Sequence, residues 1–344
     1  MMINLLLRYT NLLVFTIAAL VLISFSLPYM FPGDDLINIT GIVPVSDAQR
    51  AALESAFKLD QSIFAQFFQY LSDLVNGNWG VSFDSQIGLY EEISIAFPAT
   101  IELTVYALIL SIFVGIPLGF IAGTWPHKSF DFGIVTFSTV SYSFPVFWLA
   151  LIFITIFSLQ LGYLPLSGRV NLLYDIPHSS GFILWDILVA DIPNKKDAFI
   201  DAIRHLILPT LSIAFVTTAI FIRFSRRAIM DEMSKGYIDA AKSRGFTTKQ
   251  IFFQHALRNA LLPILPLMAM QVSTLITNAM VVETIFSWPG IGNWLIQAIY
   301  QRDYPAIRIG MLVVSVFVVT LTITIVFISR AIDPARDKFE RAPV

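Results

Sequence analysis

Six stretches of the chain are almost entirely apolar and long enough to cross a membrane as helices. A hydrocarbon core of about 30 Å requires roughly 20 helical residues. The stretches lie near residues 9–31, 103–125, 133–161, 205–223, 261–283 and 308–329. Charged side chains stand at their rims, as Glu102, Arg223, Glu283 and Arg308 show. The pattern predicts an all-α integral membrane protein with six transmembrane helices.

The Lys and Arg residues that flank these stretches predict which ends face the cytoplasm. With the N-terminus inside, 14 of the 22 Lys and Arg residues fall on the cytoplasmic side and 8 on the outer side. We therefore predict that both termini are cytoplasmic. The apolar run within residues 1–33 is longer than that of a signal peptide, so we expect an uncleaved N-terminal anchor helix.

The composition agrees with a membrane protein. Hydrophobic residues make up 56% of the 344 residues, charged residues make up 13%, and the mean hydropathy is +0.73. Soluble domains are more polar. Because the chain has no cysteine, disulfides and thiolate sites are excluded, and its four histidines are too scattered to suggest a metal site. We expect no metal site and no nucleic acid partner.

Residues 34–97 form a predicted external segment after the first span. Apolar residues recur at helical spacing over residues 48–75, which predicts an amphipathic helix, and the Asn-Gly-Asn-Trp-Gly run at 76–80 predicts the turn that ends it. Two interpretations stay open: a small lid that packs on the membrane face, or a segment that contacts substrate directly.

A charged segment interrupts the apolar pattern between the fourth and fifth spans. Residues 232–243 are compatible with a polar helix, Gly245 predicts its end, and Thr247-Thr248 predicts the cap of a second helix that starts near Lys249. Pro263 opens the next span. The sequence predicts two short cytoplasmic helices joined at Gly245.

The first of these helices carries a candidate docking surface. Ala240 and Ala241 are small enough to let the backbone of another protein approach, while Asp239 offers a polar contact that fixes orientation. Charged loops are commonly no more than solvated connections, so an ordinary loop remains the alternative.

Asp239-Ala240-Ala241 followed by Gly245 resembles the E-A-A-x-x-x-G coupling motif of binding-protein-dependent ABC permeases. The chain departs from that motif in two ways. Asp replaces Glu, and the closing Leu-Pro pair comes five residues late, at Leu262-Pro263. The late pair is similar to the oligopeptide and dipeptide branch of the family.

Other stretches resemble the same branch, so the resemblance covers nearly the whole chain. They include residues 97–103, 115–119, 143–149, 161–169, 286–292 and 302–305. The insert at 169–175 and the Ser-Trp-Pro-Gly run at 287–290 look most like the Sap permeases, named for sensitivity to antimicrobial peptides.

The resemblance implies a type I ABC importer permease fold in the bacterial inner membrane. Residues 98–330 would be the permease core, residues 225–260 its coupling loop and residues 331–344 a cytoplasmic tail. The implied partners are a second homologous permease in a heterodimer, two ATP-binding subunits and a periplasmic solute-binding protein. The implied substrates are peptides, with cationic antimicrobial peptides and putrescine both open.

No P-loop occurs in the sequence, so we expect ATP and Mg²⁺ to bind to partner chains and no cofactor to bind here. A membrane-embedded enzyme needs convergent Asp, Glu, His or Ser groups inside its spans. The sequence shows no such convergence, and we therefore expect no catalytic activity. The alternative is a self-sufficient secondary transporter or channel. Proton-coupled transporters usually carry ionisable groups at mid-membrane depth, which these spans lack.

Polar residues inside the spans are candidates for the translocation path. Gln271, Thr274 and Asn278 fall on one face of the fifth span, and Ser141 lies ahead of an expected kink at Pro145 in the third. Such a stripe either lines a watery path or forms hydrogen bonds between helices, and both readings stay open.

The external turn at Trp288, Pro289 and Gly290 precedes a short amphipathic segment. It is predicted to be an external gate, an interfacial re-entrant helix or a docking ledge for the solute-binding protein. The family resemblance favours the docking role.

Overall fold

The computed structural model describes residues 2–177 and 179–332. Within this part of the chain there is no β-strand, and a single β-bridge joins Val81 to Gly88. The helices are α1 (Met2–Met30), α2 (Asp35–Thr40), α3 (Asp47–Ala56), α4 (Ile63–Asn76), α5 (Leu89–Thr124), α6 (Ser129–Ser143), α7 (Val146–Phe153), α8 (Ile183–Val189), α9 (Lys195–Met233), α10 (Gly236–Ser243), α11 (Thr248–Ile251), α12 (Leu257–Leu261), α13 (Ile264–Ile285), α14 (Ile291–Gln301) and α15 (Tyr304–Ile332). The predicted all-α fold is confirmed.

Five of the described helices are long and apolar enough to cross a membrane: α1, α5, α9, α13 and α15. A sixth crossing is broken, because α6 and the helical stretch Val146–Gln160 meet at an angle of 99°. Counted as one span, this bent pair completes the predicted six. The span predicted near residues 133–161 is therefore present as two helices that meet at a sharp bend.

Pro145 explains the break between α6 and α7. Its ring removes the backbone N–H that would continue α6, and it disfavours helical geometry in the residue before it. Phe144 accordingly adopts an extended conformation, with φ −93° and ψ 132°. The kink expected at Pro145 is therefore confirmed, although the change of direction is close to a right angle.

α5 and α9 form a central pair in the bundle. Gly115, Gly119 and Gly123 lie one turn apart on α5 and approach successive turns of α9, so the two helices run parallel. A Cβ atom at Gly119 would lie 2.5 Å from the carbonyl oxygen of Ile222 and 2.7 Å from Cβ of Ser225. Small residues allow helix backbones to approach closely in a membrane, and this stripe therefore sets the spacing of α5 and α9.

We call the end of the bundle that carries residues 31–88 the outer end, and the end that carries residues 234–263 the inner end. These names follow the predicted orientation, which stays a prediction. The boundary expected between residues 97 and 98 falls inside α5, which begins at Leu89. Most of the predicted tail at 331–344 lies outside the described residues.

The external segment differs from the prediction of one helix over residues 48–75. Two helices, α3 and α4, are separated by a turn in which Lys58 has a φ of 54°. The hydroxyl of Ser62 caps α4 by accepting from the backbone N–H of Ala65. The predicted turn at 76–80 does end α4, with Gly77 at a φ of 79°.

Buried polar contacts hold the external segment against the outer ends of α1 and α15. Tyr70 shares a hydrogen bond of 2.8 Å with Ser24, and the guanidinium of Arg308 lies 5.0 Å from the centre of the Tyr70 ring. Ser82 donates to Asp303 at 2.6 Å. These contacts suit the lid interpretation, while direct contact with substrate stays a prediction.

Candidate functional site

The inner end carries the charged hairpin predicted from the sequence. α10 ends before Gly245, which reverses the chain with a φ of +86°. The hydroxyl of Thr247 caps α11, and Pro263 stands at the start of α13. The predicted stop, cap and restart are all confirmed. The prediction that Glu232 begins the hairpin helix is wrong, because Glu232 lies in the last turn of α9.

Some of the predicted coupling residues on α10 are exposed to solvent, and others are buried within the hairpin. Asp239 and Ala240 are exposed, and Asp239 forms an ion pair of 2.9 Å with exposed Lys242. Ala241 is buried and packs beside Ile238, which has no exposed surface. Ala240 is therefore available to another protein, whereas Ala241 fills space inside the hairpin in this conformation.

A buried carboxylate joins the hairpin to the membrane helices. Glu232 is 4% exposed and accepts from Lys235 at 2.5 Å, from the hydroxyl of Tyr237 and from Asn259 at 3.2 Å. Loss of hydration at the hydroxyl, followed by its hydrogen bond to Glu232, raises the pKa of Tyr237. The hydroxyl therefore stays protonated and donates. Sequence analysis missed this group because a lone acidic residue in a charged loop carries no distinctive signal.

A cavity of about 510 Å³ lies between the α6–α7 bend and the α9 and α13 helices. Gln271, Thr274 and Asn278, the polar stripe on the fifth span, all line it, and their role in a translocation path stays a prediction. Phe144 and Phe147 from the bend contribute aromatic surface. Among the residues that the structure describes, no charged side chain lines the cavity. The site offers amide and hydroxyl groups against an apolar wall.

Ser141 is not part of this cavity. Its side chain is buried, and its hydroxyl donates to the carbonyl oxygen of Phe137 at 2.8 Å on the same helix. The next residue, Tyr142, does line the cavity, and the guanidinium of Arg223 lies 4.1 Å from its ring centre. The hydrogen bond to the preceding turn satisfies Ser141, so the structure does not bring it together with the stripe on α13.

The turn at Trp288, Pro289 and Gly290 packs into the outer end of the bundle. Trp288 has no exposed surface, and its indole N–H donates to the carbonyl of Ala99 at 3.0 Å. Gly290 is also buried, while Pro289 is exposed. In this conformation Trp288 cannot touch a solute-binding protein, and Pro289 is the member of the turn that reaches solvent.

Glu283 holds the start of α14 beside this turn. One of its carboxylate oxygens accepts from the backbone N–H groups of Gly292 at 2.8 Å and of Asn293 at 3.2 Å. A Cβ atom at Gly290 would lie 2.3 Å from the carboxyl carbon of Glu283. The glycine is therefore required for the close approach of this carboxylate to the helix N-terminus.

A second buried carboxylate fixes the same end. Glu102 and Arg169 form an ion pair whose side chains are 0% and 6% exposed, with Nε of Arg169 at 3.2 Å from the carboxylate. Arg169 also donates to the carbonyl of Gly181 at 2.5 Å, and its guanidinium lies 5.4 Å from the Trp288 ring centre. Because the pair joins residues 67 positions apart, no local sequence pattern reveals it.

Residues 115–338 match the family model described as "Binding-protein-dependent transport system inner membrane component", which covers more than half of the chain. The chain belongs to this family. The permease is 38% identical, over 94% of this chain and 96% of the relative, to "Di/tripeptide transport system permease protein DppB" of Pseudomonas aeruginosa (strain UCBPP-PA14).

The permease also has a relative of the Sap type. It is 35% identical, over 96% of this chain and 97% of the relative, to "Putrescine export system permease protein SapB" of Escherichia coli (strain K12). A solved structure of the MetNI methionine ABC transporter in inward-facing conformations aligns with 68% of this chain and 92% of that chain, with a TM-score of 0.48 and 16% identity.

Membership in this family confirms the resemblance stated from the coupling motif. The chain is a multi-pass inner-membrane permease subunit of an ABC transporter. The family is a transmembrane component that works with ATP-binding and substrate-binding partners and, in general, with a second permease. These findings support the ABC permease over a self-sufficient secondary transporter or channel.

Proposed function

We propose that this permease pairs with a second, homologous permease to import short peptides across the inner membrane. In this proposal the exposed face of α10, with Asp239, Ala240 and Gly245, contacts one of two ATP-binding subunits, which hold ATP and Mg²⁺. A periplasmic solute-binding protein delivers the peptide to the outer end near Pro289. Both termini face the cytoplasm.

The observation that carries the substrate class is the uncharged lining of the cavity. Gln271 and Asn278 provide amide groups that both donate and accept hydrogen bonds, which complements the amides of a peptide backbone. A site that binds the peptide backbone can accept peptides with different side chains. The volume of about 510 Å³ is in the range of sites that hold drug-sized molecules, and this favours short peptides over long antimicrobial ones.

The same lining argues against putrescine as the main substrate. A dication inside a membrane is stabilised by nearby carboxylates, and none lines the cavity among the described residues. Of the two relatives named above, one is a di/tripeptide permease and the other a putrescine export permease. The cavity favours the peptide alternative.

The transport step is a rocking of the membrane helices around this cavity. When ATP draws the two ATP-binding subunits together, α10 moves with the subunit it contacts. α9 and α13, which both line the cavity, follow, and the cavity opens alternately to the two ends of the bundle. The chain moves without performing chemistry.

The test is uptake of radiolabelled alanyl-alanine into proteoliposomes that contain the complete complex and its solute-binding protein. We expect uptake that requires ATP and is competed by unlabelled tripeptide but not by putrescine. ATP-driven movement of putrescine without movement of either peptide would contradict the peptide assignment. Uptake that follows an ion gradient and needs no ATP would contradict the ABC mechanism.

A further inference from the structure

One group of side-chain hydrogen bonds at the inner end converges on Glu232. The two carboxylate oxygens of Glu232 have separate partners: Oε2 accepts from Lys235, and Oε1 accepts from Tyr237 and Asn259. Asn259 also lies 3.2 Å from the Tyr237 hydroxyl. Three elements therefore meet at this carboxylate, namely the end of α9, the start of α10 and α12.

α10 has few other attachments. It is eight residues long, too short to be a stable helix alone, and its buried contacts come from Ile238 and Ala241. Apolar contacts of this kind are non-directional. Within the described part of the chain, every side-chain hydrogen bond that links α10 to another helix passes through Tyr237. Beyond these apolar contacts and the two-residue backbone link to α9, the position of α10 therefore depends on the Glu232 cluster.

Both helices that leave this cluster lead to the cavity. From Glu232, α9 runs back to Ile220, which lines the cavity 12 residues away. From Asn259, α12 continues through Pro263 into α13, where Gln271 lines the cavity 12 residues on. Twelve helical residues span about 18 Å. The cluster thus connects α10 to two walls of the cavity over similar lengths.

We propose that Glu232 is the positioning residue that transmits the movement of α10 to α9 and α13. With the cluster intact, the three helices move together when an ATP-binding subunit pulls on α10. Without it, α10 keeps its two-residue backbone link to α9 and its apolar contacts, but less of its movement reaches α12 and α13, and the cavity opens less completely. The proposal rests on the proposed function, and it concerns the transfer of movement, not the binding of the partner subunit.

The experiment measures alanyl-alanine uptake and ATP hydrolysis in the same proteoliposomes, together with the amount of ATP-binding subunit retained. Hydrogen bonds to a buried carboxylate stabilise a structure enough to change an equilibrium by about tenfold or more. We therefore expect Glu232→Ala to lower the amount of peptide transported per ATP by about tenfold or more. Hydrolysis and subunit content should remain close to wild type. Asp231→Asn is the matched control, because Asp231 is exposed and its one ion pair among the described residues, to Arg227, is an exposed contact of 3.7 Å.

A double variant tests whether the three residues act as one unit. Tyr237→Phe and Asn259→Ala should each lower the ratio of transport to hydrolysis, and combining them should lower it little beyond the larger single effect, because both act through one carboxylate. If Glu232→Ala does not assemble, Tyr237→Phe removes one hydroxyl only and provides the same measurement.

An unchanged ratio in these variants, or an equal loss of transport and hydrolysis in fully assembled complexes, would overturn the proposal. Glu232→Gln removes the hydrogen bond with Lys235 but keeps one side-chain oxygen, which can still accept from Tyr237 and Asn259. It should therefore retain more coupling than Glu232→Ala. Failure of the wild-type complex to show ATP-driven uptake would instead refute the proposed function, so the two failures are distinguishable.

Discussion

Arg169→Met removes one partner of the buried ion pair at the outer end. The side chain of Glu102 has no exposed surface, so its charge would be left without compensation in a poorly hydrated site. Methionine keeps much of the volume of arginine, and the change therefore tests charge and hydrogen bonding more than packing. The variant also removes the donor to Gly181 and the cation beside Trp288.

The expected loss follows from this burial. Removing one partner of a buried ion pair destabilises a protein by about 3–5 kcal/mol. The double variant Arg169→Met with Glu102→Gln leaves no unpaired charge, and replacing a whole buried pair is close to neutral, so we expect it to lose less than about 2 kcal/mol. The pair should therefore show a large coupling energy in a double-mutant cycle.

The assay is an SDS titration of the purified permease in mixed micelles, followed by tryptophan fluorescence, since Trp288 packs directly against Arg169. Arg50→Met is the matched control: Arg50 pairs with Asp34 at 2.7 Å, but 42% of its side chain is exposed, and its replacement should change the free energy of unfolding far less. Additive losses from the two buried substitutions, or a single loss as small as that of the control, would refute the reasoning.

Three further substitutions, two of them with a matched control, test other parts of the structure. Gly119→Ala should destabilise the permease by about 1–3 kcal/mol in the same titration, because its Cβ meets the α9 backbone, whereas Gly133→Ala, with no neighbour within 4 Å, should be neutral or slightly stabilising. Gly245→Val should abolish peptide uptake while membrane insertion is normal, because a β-branched residue strains a φ of +86°, and Gly236→Ala should retain uptake. Asn278→Leu should lower uptake without lowering the amount of assembled complex; normal uptake would remove Asn278 from the path.

The apolar runs predict where the chain crosses the membrane, but not how far each helix extends. α5 begins at Leu89 and α9 at Lys195, well before the apolar runs, because helix geometry continues through polar residues once the spans anchor it. The 99° turn at Pro145 was predicted only as a kink, since the angle depends on packing against α9 and α13.

The hairpin at the inner end was predictable because its signals are local. Gly245 and Thr247 act on their immediate neighbours, and their positions alone indicate a stop and a cap. The burial of Ala241 also has a local signal, since it follows Ile238 at helical spacing on one face.

The contacts that hold the outer end carry no such signal. Glu102 meets Arg169 across 67 residues, and Trp288 meets Ala99 across 189. These pairings follow from the packing of distant helices, which one sequence does not reveal. The same limit applies to the Glu232 cluster, where Asn259 comes from the far arm of the hairpin.

The measurement that most directly tests the central claim is affinity purification of this chain from native membranes, with mass spectrometry of its partners and an ATPase assay of the isolated complex. We predict recovery of a second six-span permease and of P-loop subunits with ATPase activity, and loss of those subunits when the exposed residues Asp239 and Ala240 are replaced. Recovery of the chain alone, without ATPase activity, would contradict an ATP-driven permease and favour a secondary transporter or channel.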